Sequence, residues 1–274
     1  MGGAAMFSKY ATIADTALNY FHTGASTLPG TPPALERGEL LLFLHGAGSN
    51  AHTWHRQLAH FEATHSAVAL DFPGHGRSGS TEGLADLDAH VRCLDAFAAA
   101  LRLRPAVVVG RALGGAVAVA FAAAHPERVR GLVLVATPAR FAIPPAALDT
   151  WRDVTMGRAT QPFAMNLFSP GADMAVVREC FMEQVKTDPR VRYTDMLACD
   201  GVDLTRHLTA LRVPTLVITG RDDHFAPPDQ AEAVQRLVPG ARLAVIDAAG
   251  HMLTSEQPAA FNAAVEQFLA ELPR

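Results

Sequence analysis

Apolar positions along this chain fall into short unbroken runs that do not alternate with polar ones. The runs are ELLLFLHG (39–46), HSAVALDFPG (65–74), PAVVVG (105–110), VRGLVLVAT (129–137), VPTLVITG (213–220) and ARLAVIDAAG (241–250). A strand buried on one face alternates with period two, whereas a strand covered on both faces reads as near-continuous Val, Leu, Ile and Ala. Each run leads into loop residues and then a longer segment of helical character, which predicts helices near 52–62, 84–102, 112–124, 228–237 and 257–271. Repetition of strand then helix predicts an α/β fold, a mostly parallel sheet with helices on both faces. Two earlier stretches, around 10–14 and 17–23, are expected to form an antiparallel hairpin, and GASTLPGTPPALERG (24–38) reads as loop from its Gly and Pro content.

The rhythm breaks between about 138 and 210. This interval has no buried strand pattern and reads as several short helices with apolar faces, carrying Trp151, Met156, Phe163, Met165, Leu167, Phe168, Phe181 and Met182. A helical cap inserted between two core strands accounts for it, dividing the chain into a core of 1–137 and 211–274 and a cap of 138–210. No internal repeat is visible.

Composition narrows the function. The 274 residues suffice for one large domain, and a net charge of −4 without a run of like charges offers neither a basic field for nucleic acid nor a polybasic membrane surface. A small neutral or anionic substrate fits better than a polymer. Cys93, Cys180 and Cys199 are sparse and lack a C-x-x-C spacing, which argues against a disulfide framework and a zinc site and fits a reducing cytoplasm. The start, MGGAAMFSKYATIADTALNYF, has no charged stretch leading into an apolar core, and no 18-residue apolar run follows, so neither signal peptide nor membrane span is expected. The twelve histidines form no H-E-x-x-H and no metal-ligand spacing, so no metal is expected.

In parallel sheets, ligands gather beyond the carboxyl ends of the strands. Four of those ends carry candidate chemistry. HGAGSN (45–50) is a glycine-bearing exit that lets backbone N–H groups face a cavity, with Ala47 N–H a candidate oxyanion donor. VVVGRALGG (107–115) has the build of a nucleophile elbow, Gly-x-Ala-x-Gly between a strand and a small-residue helix, with Ala112 at the centre and Leu113 N–H as second donor. Asp222 and Asp223 follow the next strand but one, and His251 follows the last. A loop carboxylate can orient a histidine from the adjacent loop and make it a base. Each feature alone reads equally as a glycine turn, a packing feature, a turn aspartate or a solvated histidine; their order along the chain makes the combination informative.

These residues resemble the α/β-hydrolase superfamily over nearly the whole chain, through HGAG (45–48), DFPGHGRS (71–78), VGRALGG (109–115), GRDDHFAP (220–227) and AGHMLTSEQP (249–258). The resemblance implies an eight-stranded sheet with an inserted lid, selects Asp223 over Asp222 as the acid, makes His251 the catalytic histidine and requires no cofactor. Some branches take their acid after the preceding strand, where this chain reads Ala136-Thr137-Pro138. Ala112 departs from the pattern by standing where the family has Ser, or less often Asp or Cys. The expected reaction is hydrolysis of a small ester, lactone, amide-like or activated carbon-carbon bond.

Three readings of Ala112 stay open. The chain is a serine hydrolase whose nucleophile has been replaced, as is done to hold a substrate in place; or Ala112 is native and His251, backed by Asp223, activates water, as the resemblance to aminoacrylate hydrolases carrying Gly-x-Ala-x-Gly suggests; or the pocket binds a ligand without turnover. Retention of Asp223 and His251 counts against pure binding. Ser49 and Ser78 are alternative hydroxyls but sit on no elbow, and Cys93 and Cys199 read as packed residues. His45, Gly46, Arg111, Trp151 and Phe168 are the candidate substrate-binding residues. Arg111 either meets a substrate carboxylate or pairs with a nearby acid, and Arg140 and Arg158 in the cap are weaker candidates for the same role.

Overall fold

A computed structural model describes residues 7–25 and 27–273; the first six residues of the leading segment, Ser26 of the 24–38 loop and Arg274 lie outside the described residues. The strands are β1 (Phe7–Ile13), β2 (Thr16–His22), β3 (Leu40–Leu44), β4 (Ser66–Leu70), β5 (Ala106–Arg111), β6 (Val129–Val135), β7 (Thr215–Gly220) and β8 (Arg242–Ile246). They form one sheet in the order β1-β2-β4-β3-β5-β6-β7-β8. β2 runs antiparallel to both of its neighbours, and every pairing from β4 to β8 is parallel. The α/β class and the leading hairpin expected from the sequence match this sheet. The hairpin turns at Ala14 and Asp15 with φ of 44° and 65°, the left-handed pair that a two-residue turn between twisted strands demands.

The unbroken apolar runs have a direct cause. Leu40, Leu42 and Leu44 of β3 point into one core and Leu41 and Phe43 into the other, so no position on the strand meets water. Helix α2 (Leu87–Ala100), α3 (Leu113–Ala124) and α8 (Pro228–Leu237) cover the first face, and α1 (His55–Phe61) and α10 (Pro258–Ala270) the second. Each fully buried Leu or Phe of these layers contributes about 1.5–3 kcal/mol of transfer free energy.

Between β6 and β7 the chain forms α4 (Pro145–Thr155), a short 3-10 turn at Met165–Leu167, α5 (Met174–Gln184), α6 (Pro189–Cys199) and α7 (Thr205–Ala210). An antiparallel bridge of Arg140 with Asp203 and backbone bonds from Phe141 N to Val202 O (2.9 Å) and Leu204 N to Ala139 O (2.8 Å) tie the two ends of this segment together. The segment is not uniform: Leu204, Leu208 and Leu211 join the main core, because α7 packs against α3 and α8. The layer over the strand ends is therefore narrower than 138–210. Among the described residues no helix is long and apolar enough to cross a membrane. A short α9 (Leu253–Glu256) precedes α10.

Candidate active site

The carboxyl ends of β3, β5, β7 and β8 deliver their loops to one cavity of about 320 Å³. At the end of β5 the chain turns through Ala112 at φ 49°, ψ −112°, a conformation that L residues rarely adopt, and enters α3 at Leu113. The flanking glycines are there because nothing larger fits. A Cβ on Gly110 would lie 2.2 Å from Gly114 O, one on Gly114 2.3 Å from Leu44 O, and one on Gly115 2.0 Å from Thr137 Oγ1. A Cβ on Gly46 would come 3.6 Å from the Ala112 Cβ, so the HGAG loop lies directly against the turn. Ala112, Leu113, Gly46 and Ala47 all line the cavity.

His251 lines it too, and its Nδ1 lies 2.9 Å from Asp223 Oδ2. The other carboxylate oxygen, Oδ1, accepts from Phe225 N at 2.8 Å and Ala226 N at 3.0 Å. Burial pushes the Asp223 carboxyl up, but the facing His251 and these two amides outweigh it and hold the group below the usual carboxylate range. An ionised Asp223 only accepts, so Nδ1 carries the ring proton and Nε2 keeps a lone pair free for chemistry. Asp222 is turned elsewhere: its Oδ2 accepts from Ser169 Oγ at 2.7 Å.

Two candidate substrate residues are not in the cavity wall. His45 is buried, with Nδ1 donating to Gly46 O (2.9 Å) and Nε2 accepting from Phe72 N (3.2 Å). Burial, with His75 beside it, lowers its pKa to about 3, so it is a neutral strut beneath the HGAG loop. Phe168 packs with Val177, Cys180 and Met252 in a separate apolar cluster, and a Cβ on Gly250 would touch its backbone at 2.7 Å. It wedges the inserted segment against the His251 loop and does not face the cavity. Trp151 and Arg111 do line the cavity.

Of the alternative nucleophiles, Ser78 is spent on Asp71 O (2.6 Å) and Asn19 N (2.8 Å), while Ser49 lines the cavity and accepts from Arg111 Nη2 at 3.1 Å. Burial pushes the Cys93 thiol up to about 12 and the Cys199 thiol up as well, which leaves both protonated. Arg140 lines the cavity but pairs with Asp203 at 3.0 Å, and Arg158 reaches only Asp153. Sequence reasoning missed Arg192, Gln184, Met196, Phe225 and Met252, all cavity residues. Arg192, inside PRVRYTDM, stands in a helix with no strand-end motif near it, and nothing local marks it.

Comparison with known proteins places this geometry. The model of the alpha/beta hydrolase family matches residues 41–264. A 2-hydroxy-6-oxononadienedioate/2-hydroxy-6-oxononatrienedioate hydrolase of Burkholderia vietnamiensis is 30% identical over 252 residues, 84% of this chain and 87% of its own. A protein of Azorhizobium caulinodans provisionally named as the carbamate hydrolase RutD is 28% identical over 248 residues, 86% of this chain and 92% of its own. Among solved structures, a thermophilic esterase from Thermogutta terrifontis with malate bound superposes with a TM-score of 0.82 at 26% identity, over 98% of this chain and 99% of that one. The enol-lactonase from Burkholderia xenovorans gives 0.81 at 25% identity, over 96% and 100%. With the eight-stranded sheet, the elbow and the family match together, this chain belongs to the α/β-hydrolase family.

Proposed function

We propose that the chain is a hydrolase of small ester, lactone, amide-like or activated carbon-carbon substrates, built on a Ser-His-Asp plan with Ala112 in the nucleophile's place. The observation that carries the reading is the buried, ionised Asp223 holding His251 at 2.9 Å in a cavity that Ala112 also lines. Relatives named as a 2-hydroxy-6-oxononadienedioate hydrolase, a methyl ester esterase and an enol-lactonase support the substrate range. Residues 138–203 act as the cap that shapes the pocket, with Trp151 in its lining.

As the chain stands, a methyl group at 112 forms no covalent intermediate. His251 Nε2 takes a proton from water as the water oxygen adds to the substrate's carbonyl carbon. The N–H groups of Ala47 and Leu113 hold the negative carbonyl oxygen, and the start of α3 favours the same charge. Asp223 stabilises the imidazolium. Collapse of the tetrahedral species expels the leaving group, which takes the proton back from His251.

The test is Ala112→Ser, assayed on p-nitrophenyl acetate beside the parent and a His251→Ala control. Loss of the nucleophile from a working triad costs on the order of 10⁶ in turnover, with about 10³–10⁴ over water persisting from the oxyanion hole and binding. The expected result is a gain of several orders of magnitude with a burst of p-nitrophenol. An unchanged or lower rate that still depends on His251 would show that the water route is the enzyme's full reaction and not the remnant of a Ser-His-Asp one. Tight ligand binding without turnover in either form would show a binding protein.

A further inference from the structure

The cavity wall carries three arginines, Arg111, Arg140 and Arg192, and no Asp or Glu. Arg140 is neutralised by Asp203 near the protein surface. Arg111 and Arg192 have no carboxylate within 4.0 Å among the described residues. Arg111, 4% exposed, donates to Met252 Sδ at 2.8 Å and Ser49 Oγ at 3.1 Å, one weak acceptor and one neutral one. Arg192 reaches down from α6 to Gly48 O (2.9 Å) and Gln184 Oε1 (3.5 Å), with its guanidinium 4.6 Å above the Trp151 ring. A guanidinium has five N–H donors, so both groups keep donors unspent.

The acids nearby are engaged elsewhere. Asp223 holds His251, Asp195 holds His75 Nε2 (2.8 Å) and Gly48 N (2.7 Å), and Glu183 takes Lys186 and Asn50. Burial pushes both arginines down, Arg192 to about 10, and a guanidinium keeps its proton in proteins. One buried and one partly buried cation, neither paired directly with a carboxylate, are a costly arrangement, and a ligand anion relieves it.

We infer that Arg111 and Arg192 form an anion subsite and that the substrate is an acyl compound carrying a free carboxylate. The inference rests on the hydrolase reading of the same cavity. Planar guanidinium forks match carboxylate oxygens in pairs, and Ser49, which accepts from Arg111, keeps its own hydrogen to donate. Arg111 precedes Ala112 in the chain, so the two Cα atoms are about 3.8 Å apart and the carboxylate sits close to the reacting carbonyl. Phe141, Ile143, Trp151 and Met196 supply the apolar wall for the carbon skeleton between them.

Calorimetry on the unaltered chain tests the subsite without turnover, using glutarate and its uncharged analogue glutaramide. Glutarate is expected to bind at least about tenfold more tightly, with an affinity that falls as salt rises, and Arg192→Gln should erase most of that advantage over glutaramide. Arg111→Gln is expected to do the same; Arg192, only partly buried, is the variant that keeps the test valid if the other misfolds. In an Ala112→Ser background, kcat/KM for monomethyl glutarate should exceed that for dimethyl glutarate by about tenfold or more, and Arg192→Gln should abolish the preference. Equal binding of glutarate and glutaramide, or turnover of both esters without preference, overturns the subsite and leaves the hydrolase standing. Arginine-dependent glutarate binding without turnover of either ester keeps the subsite and removes the hydrolase reading.

Discussion

Replacing Asp223 with Asn tests the base most directly, because the structure fixes which way the new amide must point. Asp223 Oδ1 accepts from two backbone amides, Phe225 N and Ala226 N, and only an oxygen can satisfy them. The Asn carbonyl therefore takes the Oδ1 place and its NH₂ takes the Oδ2 place, facing His251 Nδ1 at what is now 2.9 Å. Two donors cannot share that contact, so the imidazole adopts the other tautomer, with Nε2 protonated and unable to accept a proton. The charge is lost as well. For unit charges about 4 Å apart at an effective dielectric near 20, the Asp–imidazolium attraction is worth ~4 kcal/mol, or about 10³ in rate. With the tautomer error added, kcat/KM should fall by about 10³–10⁴, the upper figure being the size seen for this change in a serine protease. The assay is ester hydrolysis in the Ala112→Ser background at pH 7, with ¹⁵N chemical shifts of His251 reporting its tautomer. A fall of less than about tenfold, or a His251 that keeps Nε2 unprotonated, would refute the pairing as the source of basicity.

Two other perturbations test what holds the site. His75 and Asp195 form a buried pair at 2.8 Å joining the core to α6, and Asp195→Asn should cost about 3–5 kcal/mol, read as a lower urea midpoint. Despite burial, Asp195 holds the His75 pKa above its ordinary value, so that contribution is complete below about pH 6.5 and lost as pH rises through the raised value. Despite burial, His75 holds Asp195 below its ordinary value, so its contribution is complete above about pH 4 and lost as pH falls through the depressed value. The parent-minus-variant difference should therefore peak between about pH 4 and 6.5; a difference that is flat from pH 5 to 9 contradicts the coupling. Gly114→Ala places a Cβ 2.3 Å from Leu44 O and should destabilise the fold by at least about 1–3 kcal/mol in thermal unfolding, while Gly171→Ala, with nothing within 4 Å, should stay within about 0.5 kcal/mol of the parent.

The strands and the site's polar residues were legible for the same reason: their signals are local. A run such as LLLFL needs only its own composition to report burial on both faces, and Gly110, Gly114 and Gly115 mark a turn whose atoms collide with any Cβ. His45 and Phe168 misled because a residue type beside a motif says nothing about the direction of its side chain. His45 follows β3 and points down to Phe72 N, and Phe168 points into the seam between the inserted segment and the His251 loop. Arg192 was invisible for the opposite reason. Its role comes from α6 folding back over Gly48, a contact between residues 144 positions apart that no pattern within α6 encodes. The end of the inserted segment was blurred likewise, since α7 has the look of the helices before it and differs only in what it packs against.

Ala112 separates the shape of the site from its reactivity. Its φ of 49° and ψ of −112° cost on the order of 1–3 kcal/mol for a residue with a Cβ, and the methyl group makes no hydrogen bond that offsets this. The conformation persists because its surroundings impose it. Ala112 N donates to Val135 O at 3.0 Å, Ala112 O accepts from Ala116 N at 3.0 Å to open α3, and the glycines on either side let β3 and β6 close against the turn. Every one of those restraints acts on backbone, so the turn keeps its form whatever small side chain stands at 112. The Leu113 amide, belonging to the same backbone, stays at the cavity wall at the start of α3 for the same reason. Stability measurements on position 112 will therefore barely distinguish Ser from Ala, and the identity of the attacking group has to be settled by rates.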